Sequence, residues 1–244
     1  MVSMSRIKCL GFDLYSTLIN LDNQNWNEMI KSTFPILESL GYQGLFETYF
    51  KVWEEIFWGW RAYREDSHIE LKSEVWWKEI LNRLSIHFDE ADISQIIIKS
   101  HETFRTQISL YPKVKELLSG LKKNYLLACI SNVSDGDLAR EDMEIFGILN
   151  LFDCVVMSSD LGVRKPSPEI FEYALNTLKI KNTEMIFIGD TLYDDIQGAR
   201  AAGLLKAIHI RRNVSYYHSE YYIEADETIY DLHEICSLLK EIDI

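Results

Sequence analysis

Five short runs dominated by apolar residues punctuate the chain: Ile7–Phe12, Leu126–Ile130, Cys154–Met157, Met185–Ile188 and Lys206–Ile210. None shows the clean alternation of a strand with one wet face, so each reads as a strand buried on both sides, as in a parallel sheet. Between them the apolar period becomes helical. Val114, Leu117, Leu118 and Leu121 fall on one helical face, as do Ile170, Phe171, Ala174, Leu175 and Leu178. The second of these segments opens with Ser167 as the expected N-cap and Pro168 at the first helical position. Strands alternating with helices predict an α/β fold, a doubly wound three-layer parallel sheet of Rossmann-like type.

The spacing breaks this pattern once. A crossover between parallel strands needs roughly a dozen residues, yet the chain spends far more between its first and second apolar runs. Residues from about Asn20 to Phe104 therefore read as an inserted helical domain, with the core formed by 1–19 and 105–244. Phe46, Tyr49, Phe50, Trp53, Ile56 and Phe57 recur there at helical spacing, and the insert holds all six tryptophans. Large aromatics fill the core of a small bundle or line a pocket. Trp58, Trp60, Trp76 and Trp77 do not all fit one bundle interior, which leaves one or two for substrate or a partner subunit.

Composition narrows the function classes. The 244 residues are 47% hydrophobic, enough to bury a large core. A formal charge of −13 argues against nonspecific binding to nucleic acid or to an anionic membrane, while a local cluster of cations suffices for a small anion. Of the four cysteines, Cys9, Cys129 and Cys154 lie in or beside strand-like runs, and Cys236 makes no CxxC pair with any of them. They read as buried thiols of a reducing compartment. The start, Met1 to Arg6, lacks the apolar stretch of a signal peptide, and no run approaches the ~20 residues of a membrane helix. A cytoplasmic enzyme, monomer or homodimer, is the expectation.

The chemistry stands where the apolar runs stop. In open α/β sheets, ligands bind outside the carboxyl ends of the strands. The first run ends at Asp13, and Leu14-Tyr15-Ser16-Thr17-Leu18 follow it. The second leads into Ser131-Asn132, the third through Ser158 to Lys165-Pro166-Ser167-Pro168, and the fourth into Gly189-Asp190, with Thr191, Asp194 and Asp195 close behind. Taken singly, Asp13 reads as a cap or turn former, Ser131-Asn132 as a turn and Lys165 as a solvated side chain. The acidic segment is more telling, because clustered carboxylates repel one another unless a cation or hydrogen-bond donors offset them. Four such segments in this order resemble the signature motifs of the haloacid dehalogenase superfamily of hydrolases, from about Ile7 to the 210s. An insertion after the first motif is there a helical cap.

The resemblance implies roles. Asp13 is the nucleophile that forms an aspartyl-phosphate, and Ser131, Asn132 and Lys165 bind the phosphoryl group. Asp13 and Asp190 hold Mg²⁺, with Asp195 in support and Asp194 a less well-spaced alternative. The departure is Tyr15, which stands where phosphatases of the family carry a second aspartate as general acid and base. A phenol with a free pKa of ~10 is a weak replacement. Tyrosine there is dehalogenase-like, whereas Gly189-Asp190 is phosphatase-like. The stretch Val52-Trp53-Glu54-Glu55 offers acids where dehalogenases hold a substrate carboxylate with arginine. The leading expectation is thus a Mg²⁺-dependent phosphatase acting on a small phosphorylated metabolite. The alternatives are a metal-independent 2-haloacid dehalogenase with an ester intermediate on Asp13, and a weakly active phosphate-binding protein.

Overall fold

The computed structural model describes residues 7–21, 24–212 and 223–242; the stretch Met1 to Arg6, read above for targeting signals, lies outside them. The chain forms two units, Asn23–Ile108 and the combination of Met1–Asp22 with Ser109–Ile244.

The first unit is helical. Its helices are α1 (Trp26–Ser39), α2 (Phe46–Ser67), α3 (Ser73–Arg83) and α4 (Glu90–Arg105). Helix α1 lies against α4, and α3 against both α2 and α4. Sequence-local signals set the ends. The Asn25 side chain caps α1, and Asp89 with Asp92 closes a reciprocal capping box on α4. Along α2 the aromatic side chains three and four apart meet on one face, as helical geometry requires. Phe50 stacks with Trp53 at 6.1 Å and Trp53 with Phe57 at 4.8 Å, while Trp26 of α1 reaches Phe57 at 5.5 Å. Trp76 and Trp77 are buried, Trp60 donates to Glu79, and Trp58 is 53% exposed. Glu55, one of the two acids weighed in the sequence, accepts from Arg83 on this unit's surface.

Among the described residues the second unit contains eight strands: β1 (Cys9–Phe12), β2 (Ile19–Asn20), β3 (Ser109–Leu110), β4 (Leu126–Ser131), β5 (Cys154–Met157), β6 (Met185–Gly189), β7 (Lys206–Ile210) and β8 (Glu227–Ile229). Six form one sheet in the order β5-β4-β1-β6-β7-β8, every pair parallel. Its helices are α5 (Val114–Leu121), α6 (Gly136–Ile145), α7 (Ser158–Leu161), α8 (Pro168–Leu178), α9 (Gly198–Ala201) and α10 (Ile235–Ile242). All five runs read as buried strands are strands of this sheet, and β8, too short and polar to show in the pattern, is the sixth. Ser167 does sit at the cap position of α8, but its side chain makes no capping hydrogen bond. Residues of one periodicity, Cys9, Ala128, Ile130, Met185 and Phe187, face Ile170, Phe171, Ala174 and Leu175 of α8.

Strands β2 and β3 form a separate antiparallel ladder, Asn20 opposite Ser109. That pairing keeps Asn20 in the sheet-bearing unit, where the sequence reading began the insert. Residues 105–108 go with the helical unit because α4 runs to Arg105. Cys9, Cys129 and Cys154 are buried free thiols and Cys236 is an exposed one. Burial pushes the first three thiols up, so they are poor thiolates. Among the described residues no helix is long and apolar enough to cross a membrane.

Candidate active site

In strand order, β1 lies between β4 and β6, so the chain leaves it in both directions and a crevice opens at the carboxyl ends. Asp13 directly follows β1, and its backbone N–H extends the ladder to the carbonyl of Ile188 at 2.9 Å. Ser131 ends β4, and Asp190 follows β6. Beyond Asp13 the chain turns sharply through Ser16, whose φ of 61° is left-handed, and Ser16 N–H bonds Ile19 O at 2.6 Å. Arg212 holds that turn. Its guanidinium donates to the carbonyls of Ser16 at 3.1 Å and Thr17 at 2.7 Å, and lies over the Tyr111 ring.

Lys165 is the hub. Its ammonium, 1% exposed, donates to Asp13 Oδ1 at 2.7 Å, Asp195 Oδ1 at 2.6 Å and the Ile130 carbonyl at 2.9 Å. Ser131 Oγ adds a 3.2 Å bond to the same Asp13 oxygen. Asn132 does not point its amide away from this network; both ends clasp the Lys165 backbone, Nδ2 to its carbonyl at 3.0 Å and Oδ1 from its N–H at 2.8 Å. Asn132, expected to bind substrate, is thus engaged in positioning Lys165, and Lys165 in ordering two carboxylates.

After β6 the chain makes a π-helical turn, Leu192–Gln197, in which Ile196 N–H reaches back to Thr191 O. Such turns recur at functional sites because the extra residue re-aims a side chain. Here it folds Asp195 back under the strand end, where its Oδ2 accepts from Thr191 N–H at 2.9 Å and Oγ1 at 2.8 Å. A Cβ at position 189 would overlap the Asp195 carboxylate, so a glycine is needed at that close approach. The turn also separates the two neighbours in sequence: Asp195 joins the cluster, whereas Asp194 faces Arg164 at 3.9 Å.

Asp13, Asp190 and Asp195 each offer an oxygen, all within 4.8 Å of one another. Three carboxylates against the single ammonium of Lys165 leave two surplus negative charges when all are ionised. Burial pushes the Asp13 carboxyl up to about 6; Lys165 pulls it down and Asp195 pushes it up. Asp190 is driven well above the ordinary carboxylate range by burial and by Asp13 and Asp195. Burial opposes the charge on Lys165, but Asp13 and Asp195 outweigh it and hold the ammonium above its usual value. Hard oxygen donors carrying an uncompensated charge of two fit a divalent cation.

Two residues given no role in the sequence analysis also join the site. Thr17 Oγ1 donates to Asp190 Oδ1 at 3.3 Å, and Asp142 of α6, wholly buried, accepts the Tyr15 hydroxyl at 2.7 Å. Thr17 lies within the first motif. Asp142 carries no sequence signal, since it is one acid among several on a helix 127 positions away.

The model of the haloacid dehalogenase-like hydrolases matches residues 7–203, which takes in every strand end of this site. The chain belongs to that family. Among curated relatives, it is 28% identical to the glyceraldehyde 3-phosphate phosphatase of Pyrococcus furiosus over 97% of this chain and 95% of that protein. It is 35% identical to the human N-acylneuraminate-9-phosphatase over 43% of this chain and 42% of the relative. A HAD phosphatase from Thermococcus onnurineus superposes with TM-score 0.67 at 22% identity, covering 98% of this chain and all of that one. A 2-haloacid dehalogenase from Pseudomonas syringae pv. Tomato gives the same TM-score, 0.67, at 22% identity, covering 96% and 99%. Two structures with different chemistries match equally well, so the fold does not choose between them.

Proposed function

We propose that this member of the haloacid dehalogenase-like hydrolases is a Mg²⁺-dependent phosphatase that hydrolyses a small phosphorylated metabolite through an aspartyl-phosphate on Asp13. The observation that carries the reading is the grouping of three carboxylates, Asp13, Asp190 and Asp195, with the single ammonium of Lys165, which leaves two surplus negative charges once all three are ionised. A haloacid brings its own carboxylate and would be repelled there, whereas displacing halide calls for no cation. The glyceraldehyde 3-phosphate phosphatase, similar over nearly its whole length, supports the substrate class.

In this reading Asp13, Asp190 and Asp195 hold Mg²⁺. When bound, the ion offsets the charge of the phosphoryl oxygens as the nucleophile approaches. Ser131 and Lys165 orient the Asp13 carboxylate through Oδ1 and lie beside the incoming phosphoryl group, Asn132 keeps the Lys165 backbone in place, and Asp195 holds the ammonium from the other side. A carboxylate oxygen of Asp13 attacks phosphorus, the bond to the leaving oxygen breaks, and water then cleaves the aspartyl-phosphate and regenerates Asp13.

Phosphate release from a panel of phosphate esters, with Mg²⁺ or with EDTA, tests this. Release that needs Mg²⁺ is the expected result. Halide release from 2-chloropropionate that ignores EDTA, with no phosphate released from any ester, would replace the reading with dehalogenation.

A further inference from the structure

Hydrolysis of an alkyl phosphate needs a proton for the departing alkoxide, so the hydrogens around Asp13 bear on which substrates suit the site. Among the described residues near Asp13, those hydrogens are engaged. The Lys165 ammonium donates to Asp13, Asp195 and the Ile130 carbonyl, the Ser131 hydroxyl to Asp13, and the Thr17 hydroxyl to Asp190. The His209 ring contacts the Asp190 carbonyl at 3.0 Å. Tyr15 commits its hydroxyl hydrogen to Asp142 Oδ2 at 2.7 Å.

We infer that the site is specialised for phosphorylated compounds whose leaving group departs as a stable anion: acyl, enol and aryl phosphates, in preference to simple alkyl phosphates. The inference rests on the phosphatase reading and sharpens it. An Asp13 oxygen bonds to phosphorus while the scissile P–O bond breaks, and its electron pair leaves on the carboxylate, enolate or phenolate with no proton required. Water then attacks the aspartyl-phosphate, the electron pair of the broken P–O bond returns to Asp13, and both protons of the water end on the phosphate. The Tyr15–Asp142 pair is in this view a positioning contact that withholds a proton.

The test is a leaving-group series on the full chain with Mg²⁺: acetyl phosphate, phosphoenolpyruvate, 4-nitrophenyl phosphate, phenyl phosphate, methyl phosphate and glycerol 3-phosphate. A missing general acid is typically worth ~10²–10⁴-fold, so kcat/KM, which reads the step that expels the leaving group, should fall by about that factor from the nitrophenyl to the alkyl esters. The double variant Tyr15→Asp with Asp142→Asn supplies a carboxylic acid and avoids two facing carboxylates. It should raise alkyl-ester kcat/KM by roughly 10²-fold and shrink the aryl-to-alkyl ratio accordingly. Should that variant not fold, the wild-type series still decides. Aryl and alkyl esters processed by the wild-type protein with equal kcat/KM would overturn the inference and leave the phosphatase reading standing. No phosphate from any compound, acetyl phosphate included, would remove the phosphatase reading itself.

Discussion

The two units solve opposite problems with their buried volume. The helical unit fills its interior with rings: Tyr49, Trp53, Trp76 and Trp77 are buried, and its buried ion pair, Arg64 with Glu70 at 3.2 Å, holds one cation and one anion. The sheet-bearing unit instead buries Asp13, Lys165, Asp142 and Asp195 beneath its strand ends, with carboxylates in excess. Buried aromatic area lowers the free energy of the folded state whatever is bound, while buried carboxylates cost free energy until a cation arrives. Substitutions in the first unit should therefore act on folding, and those in the second on ligand binding and rate.

The sharpest way to break this contrast is Asp13→Asn. It replaces a nucleophilic carboxylate with an amide of the same shape, and phosphate release per folded molecule should drop by ~10⁴-fold or more. Steady-state assays on protein whose fold is checked by circular dichroism measure it; retention of a tenth of the wild-type rate would contradict a covalent role for Asp13.

Next in size is Trp53→Ala in the helical unit. Deleting a buried indole that stacks on Phe50 and Phe57 should cost ~3–5 kcal/mol of stability by denaturant unfolding. Mg²⁺ affinity measured by calorimetry should stay at its wild-type value, because the acidic cluster belongs entirely to the other unit. A large change in Mg²⁺ affinity would show that the two interiors are energetically coupled.

Asp190→Ala removes a cluster carboxylate and should lower turnover by ~10²–10³-fold. It should also weaken Mg²⁺ binding. Equal Mg²⁺ affinities in the variant and the parent would take Asp190 out of the ligand set.

The smallest effect is a pH dependence. A carboxylate must be ionised to hold a cation, and Asp13 in the metal-free protein titrates at about 6. Mg²⁺ affinity should thus rise with pH until Asp13 and the further-raised Asp190 are both ionised. Below pH 6 it should fall by up to ~10-fold per pH unit for each proton displaced, since bound Mg²⁺ and the proton compete for the same oxygens. Affinity independent of pH between 5 and 8 would mean that Asp13 is ionised throughout and that the cluster is less crowded than its geometry indicates.

Some of this was readable from order along the chain alone. Asp13, Ser131 and Asp190 stand where apolar runs end, and a parallel sheet with both faces covered brings such ends to one edge, so pattern and topology suffice to gather them. The helical period of Pro168–Leu178 and the excessive spacing after β1 were equally plain. Three features depended on the folded chain. Asp194 and Asp195 are chemically identical neighbours, and only the π-helical turn decides that Asp195 meets Lys165 while Asp194 meets Arg164. Asn132 has the polarity of a ligand-binding residue, but the backbone of Lys165 offers both an N–H and a carbonyl to its amide. The engagement of Tyr15 with Asp142 joins residues 127 positions apart. Local sequence determines which groups can form strands, caps and helices, because those depend on near neighbours. The partner of each buried polar group is decided when distant elements pack, because a hydrogen bond exists only across a fixed distance that the chain must close.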